Sequence, residues 1–419
     1  MTRVAAPRFR RAASDALHSG LPEIPGTREL LVQLLLGSDA RARDSACALG
    51  ERGAWPEVAE CAAAWRVTPR VAEQITRLNA EVPEATAFEL RRRVAAAYRH
   101  SALVASKGIT AIHQLEARGI HVAAFKGLAS MAQLHLGPKG RFMNDVDLLV
   151  GKSDLEAAVS CLEENGFRRE TGEQLDAYAT LVGHLPAFAG NQAIAMRGPC
   201  GSEIDLHWAV GKALDVAGLL SRAETAQLWD RRFPVVSMED GAMLTLRHAV
   251  REDLQVEGAC RDLIDTKVRL THLAGTKRLG ALAGAAAAAG LVPVLLAIAT
   301  ILEEYDPGLE ITAQFGNVVS RRDRRLSTGL VELFRLQLRG GPLGKDLFYL
   351  AHQWPVRHIV SGLMADASGY RRLVREFEIH LIGRPLPWTR RLLTLAGSAC
   401  RLGPRHLRSI RALAAVKYN

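Results

Sequence analysis

Apolar residues recur every three to four positions from Thr27 to about Gly119, the spacing of amphipathic helices. Glu29–Leu35, Trp55–Trp65, Val71–Leu78 and Phe88–Glu116 carry the pattern, and Pro56, Pro69 and Pro83 punctuate it. The rhythm changes at Ile120. Ile120–Phe125 reads as a first strand, Leu128–Leu136 as a helix and Gly137-Pro138-Lys139-Gly140 as a turn. Asp145–Val150 then alternates polar and apolar residues with the period of two that marks a strand. Ser153, with Glu156 three residues on, predicts the N-cap of a helix over Asp154–Asn165, and Gly166 stands where a C-cap glycine is expected. A strand near Phe167–Glu170 and a less regular stretch lead to Ser202–Trp208. That segment alternates again, with Glu203, Asp205 and His207 on one face and Ile204, Leu206 and Trp208 on the other. From Leu219 onward the pattern is helical: Ala242–Arg251, Gly258–Leu273, Leu279–Glu304, Val318–Gln337 and Leu343–Met364, the last split at Pro355.

These patterns divide the chain into five stretches. Residues 1–25 form a flexible basic lead-in, 26–119 an N-terminal helical region and 120–215 an α/β core. Residues 216–310 are a helical region packing on that core, and 311–419 a basic, helical C-terminal region. The expected class is α+β or α/β, a mixed sheet with helices embedded in a mostly helical chain.

Composition sharpens this only in places. A net charge of +10 favours anionic partners such as nucleotides, nucleic acid or an acidic membrane. The six cysteines are scattered without a C-x-x-C pair, which argues against a zinc site or a disulfide framework and for reduced thiols in a cytoplasmic protein. The N-terminus is basic but lacks the apolar run of a secretory signal. Leu279–Ile301 is uncharged and long enough to span a bilayer, yet Gly280, Gly284, Gly290 and Pro293 predict two buried helices instead, so no transmembrane segment is expected. Ile379–Asn419 has no Asp or Glu but eight Arg or Lys, reading first as a solvated or partner-facing surface. An anionic membrane surface is the next reading and nucleic acid the third.

The chemistry gathers around Phe125–Val150. Asp145 and Asp147 share one strand face, where two carboxylates repel unless a cation sits between them. Mg²⁺ or Mn²⁺ fits, since such ions take oxygen ligands and leave positions for phosphate. Lys126-Gly127 before a helix suits a phosphate, by charge and by free backbone N–H groups. If the second alternating strand pairs beside the first, Asp205 supplies a third carboxylate, with Glu203 its rival. Nucleotidyl transfer needs such a set, with metal ions clamping the attacking and leaving oxygens. The plainer readings are an exposed strand face for the two aspartates, packing for His207 and a solvated helix pair for Arg261-Asp262 with Asp265.

Taken in order, Lys126-Gly127, Arg141, Asn144-Asp145-Val146-Asp147-Leu148-Leu149-Val150 and Asp205-Leu206-His207-Trp208 resemble the uncharacterised bacterial nucleotidyltransferases of the polymerase-β-like superfamily. The resemblance covers roughly residues 80–270, and Asn144 departs from it, since many members carry glycine there. It implies a polymerase-β-like nucleotidyltransferase core and a metal-dependent, ATP- or other NTP-binding transferase. Asp145, Asp147 and Asp205 would be its catalytic metal ligands, and Lys126, Gly127 and Arg141 its nucleotide contacts. Glu203, His207 and Asn144 would support them. The acceptor would be a hydroxyl or phosphate of a protein, modified peptide, RNA end or small metabolite; some members sit in gene clusters for modified peptides. Two alternatives remain at this point: a D-x-D glycosyltransferase using a nucleotide-sugar donor, and a catalytically inactive nucleotide-binding or interaction protein.

Overall fold

A computed structural model describes residues 26–134, 137–169, 191–210, 214–251 and 256–338. The basic lead-in, the predicted helix Leu343–Met364 and the basic tail lie outside the described residues. Five helices come first: α1 (Thr27–Leu36), α2 (Asp39–Glu51), α3 (Trp55–Ala64), α4 (Thr68–Leu78) and the 34-residue α5 (Glu84–Ala117). Then follow β1 (Val122–Phe125), α6 (Lys126–Gln133), the single turn α7 (Gly137–Gly140), β2 (Asp145–Val150) and α8 (Leu155–Glu164). The remaining strands are β3 (Arg168–Arg169), β4 (Asn191–Arg197), β5 (Glu203–Val210), β6 (Glu224–Leu228) and β7 (Arg231–Val235), with α9 (Val216–Ser221) between β5 and β6. Helices α10 (Met238–Arg251), α11 (Val256–Gly275), α12 (Leu279–Ala288), α13 (Val292–Tyr305) and α14 (Arg321–Leu338) complete the described chain.

The sheet is mixed and seven-stranded, in the order β3-β4-β5-β2-β1-β7-β6. β2 runs parallel to β5 and antiparallel to β1, so the two alternating strands lie side by side. Val146, Leu148 and Val150 of β2 and Ile204 and Leu206 of β5 face one core with α5, α6 and α8. Helix α5 reaches this face closely at Gly108, where an added Cβ would meet a methyl of Val146 at 2.6 Å. On the opposite face Phe125, Leu149 and Val210 pack with Leu219 of α9 and Leu244 of α10. A third core joins α1–α4 to α10–α14.

Three expectations are corrected. The stretch after Leu219 is not all helical, because residues 224–235 form the antiparallel hairpin β6–β7, and β7 extends the sheet beside β1. The less regular stretch before β5 contains the strand β4. Ser153 does not cap α8: its hydroxyl donates to Asp154, and a turn of 3₁₀ helix precedes the helix proper. By contrast, the apolar run 279–301 is two helices, broken at Gly290 (φ +67°), and among the described residues no helix is long and apolar enough to cross a membrane.

Candidate functional site

The sheet register does most of the assembly. In the parallel pairing of β2 and β5, Asp147 stands opposite Asp205 and Asp145 opposite Glu203. Period-two alternation puts all four on the face away from Val146 and Leu148, with His207 one step further along β5. One ligand atom each from Asp147, Asp205 and His207 lie within 4.8 Å of one another. Asp145 is half-buried at the start of β2 and lines the same cleft but is not part of that cluster. Glu203 turns to Arg197, which donates to it at 2.9 Å.

His207 is buried, shares a hydrogen bond of 2.9 Å with Asp147 through Nε2, and stands edge-on to Phe125 with ring centroids 4.9 Å apart. Lys126 forms an ion pair with the same Asp147 oxygen. It opens α6 with φ +50°, a left-handed conformation uncommon outside glycine. Gly127 beside it is fixed by space: an added Cβ would meet Met143 Sδ at 2.8 Å. Asn144 is the half-buried bend residue that leads into β2.

The two facing carboxylates are held in different states. Burial works to raise Asp147, but the Lys126 charge and the His207 hydrogen bond outweigh it and keep this carboxyl well below its usual range. Asp205 is bonded to neither, and the more distant Lys126 charge only partly offsets what raises it. Burial, then the charges of Asp147 and Asp145, push it up to about 7. The strand face thus carries surplus negative charge, which a divalent cation held by Asp147, Asp205 and His207 would relieve. Two carboxylates and an imidazole form an acceptable donor set for such an ion.

Facing the strands across an open cleft is a wall of two helices, with Thr245 and His248 on α10 and Arg261, Asp262 and Asp265 on α11. Asp265 is buried and accepts a 2.8 Å bond from Arg141 Nε, while Arg141 also donates to the Phe142 carbonyl. Asp262 is buried and paired with His248 Nδ1 at 2.7 Å. Burial raises its pKa, yet the His248 bond and charge bring the net shift downward. One turn on from Asp265, Arg269 is fully buried and donates to Gln133 and Ser130 of α6. Its pKa is lowered by burial to about 10.

The helix wall corrects the reading of Arg261-Asp262 and Asp265 as a solvated pair. Asp262, Asp265 and Arg269 recur at helical spacing on one side of α11, between the buried Leu263, Ile264 and Leu270. That absence of a wholly polar face was the available signal. Arg141, expected as a phosphate contact, borders the cleft with its Nε committed to Asp265.

A family model described as an uncharacterised nucleotidyltransferase matches residues 51–305, more than half of the chain. The matched span contains both walls of the cleft and ends with α13. No curated protein matches the chain.

Proposed function

The chain belongs to this family of uncharacterised nucleotidyltransferases, and from that premise we propose that it moves a nucleoside monophosphate from an NTP to a hydroxyl or phosphate acceptor. The observation that carries the reading is the Asp147–Asp205–His207 cluster beside Lys126, at the mouth of α6. Asp147, Asp205 and His207 would hold a divalent cation, which when bound supplies charge neutralisation at the reacting phosphate. Mn²⁺ suits the imidazole better than Mg²⁺ does, while the carboxylates accept either. Asp145, on the same face, adds negative charge toward the cleft.

The rest is the work of the chain's own groups. Lys126 and the backbone N–H groups at the start of α6 take the triphosphate. The acceptor enters between the strands and the helix wall. Its oxygen forms a bond to the α-phosphorus, the bond from that phosphorus to the bridging oxygen breaks, and pyrophosphate leaves with the electron pair. The acceptor's proton passes to a carboxylate of the strand face. The test is pyrophosphate release from each NTP with Mn²⁺ or Mg²⁺, against nucleoside diphosphate release from nucleotide-sugars. Pyrophosphate release lost in Asp147→Asn and Asp205→Asn supports the reading; turnover of a sugar donor alone overturns it.

A further inference from the structure

Adjoining the cleft lies a smaller open recess that shares Arg141, Arg261 and Asp265 with it. Arg66 and Arg70, from the corner between α3 and α4, complete its charged lining, giving four arginines against a single acid. Two of these groups have hydrogen-bonding capacity left over. Arg70 donates through Nη1 to Glu73 at 2.6 Å, but its Nη2 is shut off from solvent with no partner among the described residues. Arg261 Nε is likewise buried without a hydrogen bond, its nearest acid being Asp262 at 3.8 Å. Asp262 takes His248 through one oxygen and leaves the other as the ion-pair partner of Arg261, beyond hydrogen-bond length, while Asp265 takes Arg141.

Buried guanidinium N–H groups without acceptors are costly, and arginines gathered in one recess repel. Burial, then the charge of Arg141, depresses the Arg261 pKa against the pull of Asp262 and Asp265, and Arg66 adds a smaller push the same way. Arg66 is held there with φ +59°, a backbone conformation few non-glycine residues adopt. A compact oxyanion with several acceptor atoms would answer both the surplus charge and the open donors, and planar guanidinium forks suit phosphate geometry.

We propose that the recess lined by Arg66, Arg70, Arg141 and Arg261 is a phosphate-binding subsite, distinct from the metal cluster. It accepts a second phosphate group, carried either by the donor's polyphosphate end or by the acceptor. Its use in transfer rests on the nucleotidyltransferase reading; its capacity to bind phosphate does not.

The experiment is calorimetric titration of the metal-free full chain with inorganic phosphate, for wild type, Arg70→Gln and Arg261→Lys. Arg70 reaches the surface, so its variant keeps the test open should Arg261→Lys fold poorly. Phosphate is expected to bind wild type, and each folded variant at least tenfold more weakly. Equal affinity in wild type and Arg70→Gln, or no binding to wild type, overturns the proposal. Repeating the titration with a non-hydrolysable NTP and Mn²⁺ present identifies the source. Loss of phosphate binding assigns the subsite to the donor, and retention assigns it to the acceptor. Phosphate binding in a protein that releases no pyrophosphate from any NTP would leave the subsite standing and the transferase reading fallen.

Discussion

The two walls of the cleft bury similar charges and treat them in opposite ways. On the helix wall each acid has its own partner: Asp262 has His248 and Asp265 has Arg141. On the strand wall Asp147 takes both Lys126 and His207, and Asp205 is left with a pKa near 7. Balanced pairs fix positions, because separating them strands a buried charge. An unbalanced set stores repulsion that an incoming cation relieves. The acid pairs of the helix wall are built to hold still, whereas the strand acids, on the proposed reading, would receive a cation.

The largest test of that contrast is Asp265→Ala, which leaves Arg141 buried and uncompensated. It should cost about 3–5 kcal/mol of stability in denaturant unfolding. A loss near zero would erase the difference between the walls. Next is the cation itself. Mn²⁺ at 100 times its dissociation constant should stabilise wild type by about 2.7 kcal/mol. Asp147→Asn should abolish that gain in a thermal melt, whereas an undiminished shift would place the ion elsewhere.

A smaller effect follows from Asp205. Its folded pKa lies above the unfolded value, so the folded state binds more protons between about pH 4 and 7. Stability of the metal-free protein should therefore fall as pH rises through that window and level off above it. Asp147 and Asp262, with lowered values, act the other way and lose their contribution below about pH 4. Asp205→Asn should flatten the fall and gain roughly 1–2 kcal/mol at pH 8; a steeper fall would contradict the repulsion. The smallest effect belongs to Glu203→Gln, which breaks a solvent-facing pair with Arg197 and should change stability by less than about 1 kcal/mol. The Mn²⁺ shift should survive it, which separates Glu203 from Asp205 as a ligand.

The strand wall was largely legible in the sequence, because alternation alone puts Asp145 and Asp147 on one face and Asp205 and His207 on another strand's equivalent face. The register that sets Asp147 opposite Asp205 was not, since it depends on strands 58 residues apart in sequence meeting in parallel. The helix wall was misread because charged residues on a helix look solvated until their partners are known. Arg141 lies 124 residues from Asp265. The hairpin β6–β7 escaped notice because its strands are five residues each and only partly buried, so the alternation is short and half polar.

The ion pair between Lys126 and Asp147 has a thermodynamic consequence for the two ligands proposed to bind there. A cation that takes Asp147 releases the lysine, and an anion that takes the lysine uncovers Asp147. Each arrival alone gives up the existing pair, whereas both together give it up only once. On the proposed reading, metal and triphosphate would thereby be linked with positive sign, and by reciprocity each would tighten the other by the same factor. An equilibrium dissociation constant for Mn²⁺ measured with and without nucleotide reads that factor directly.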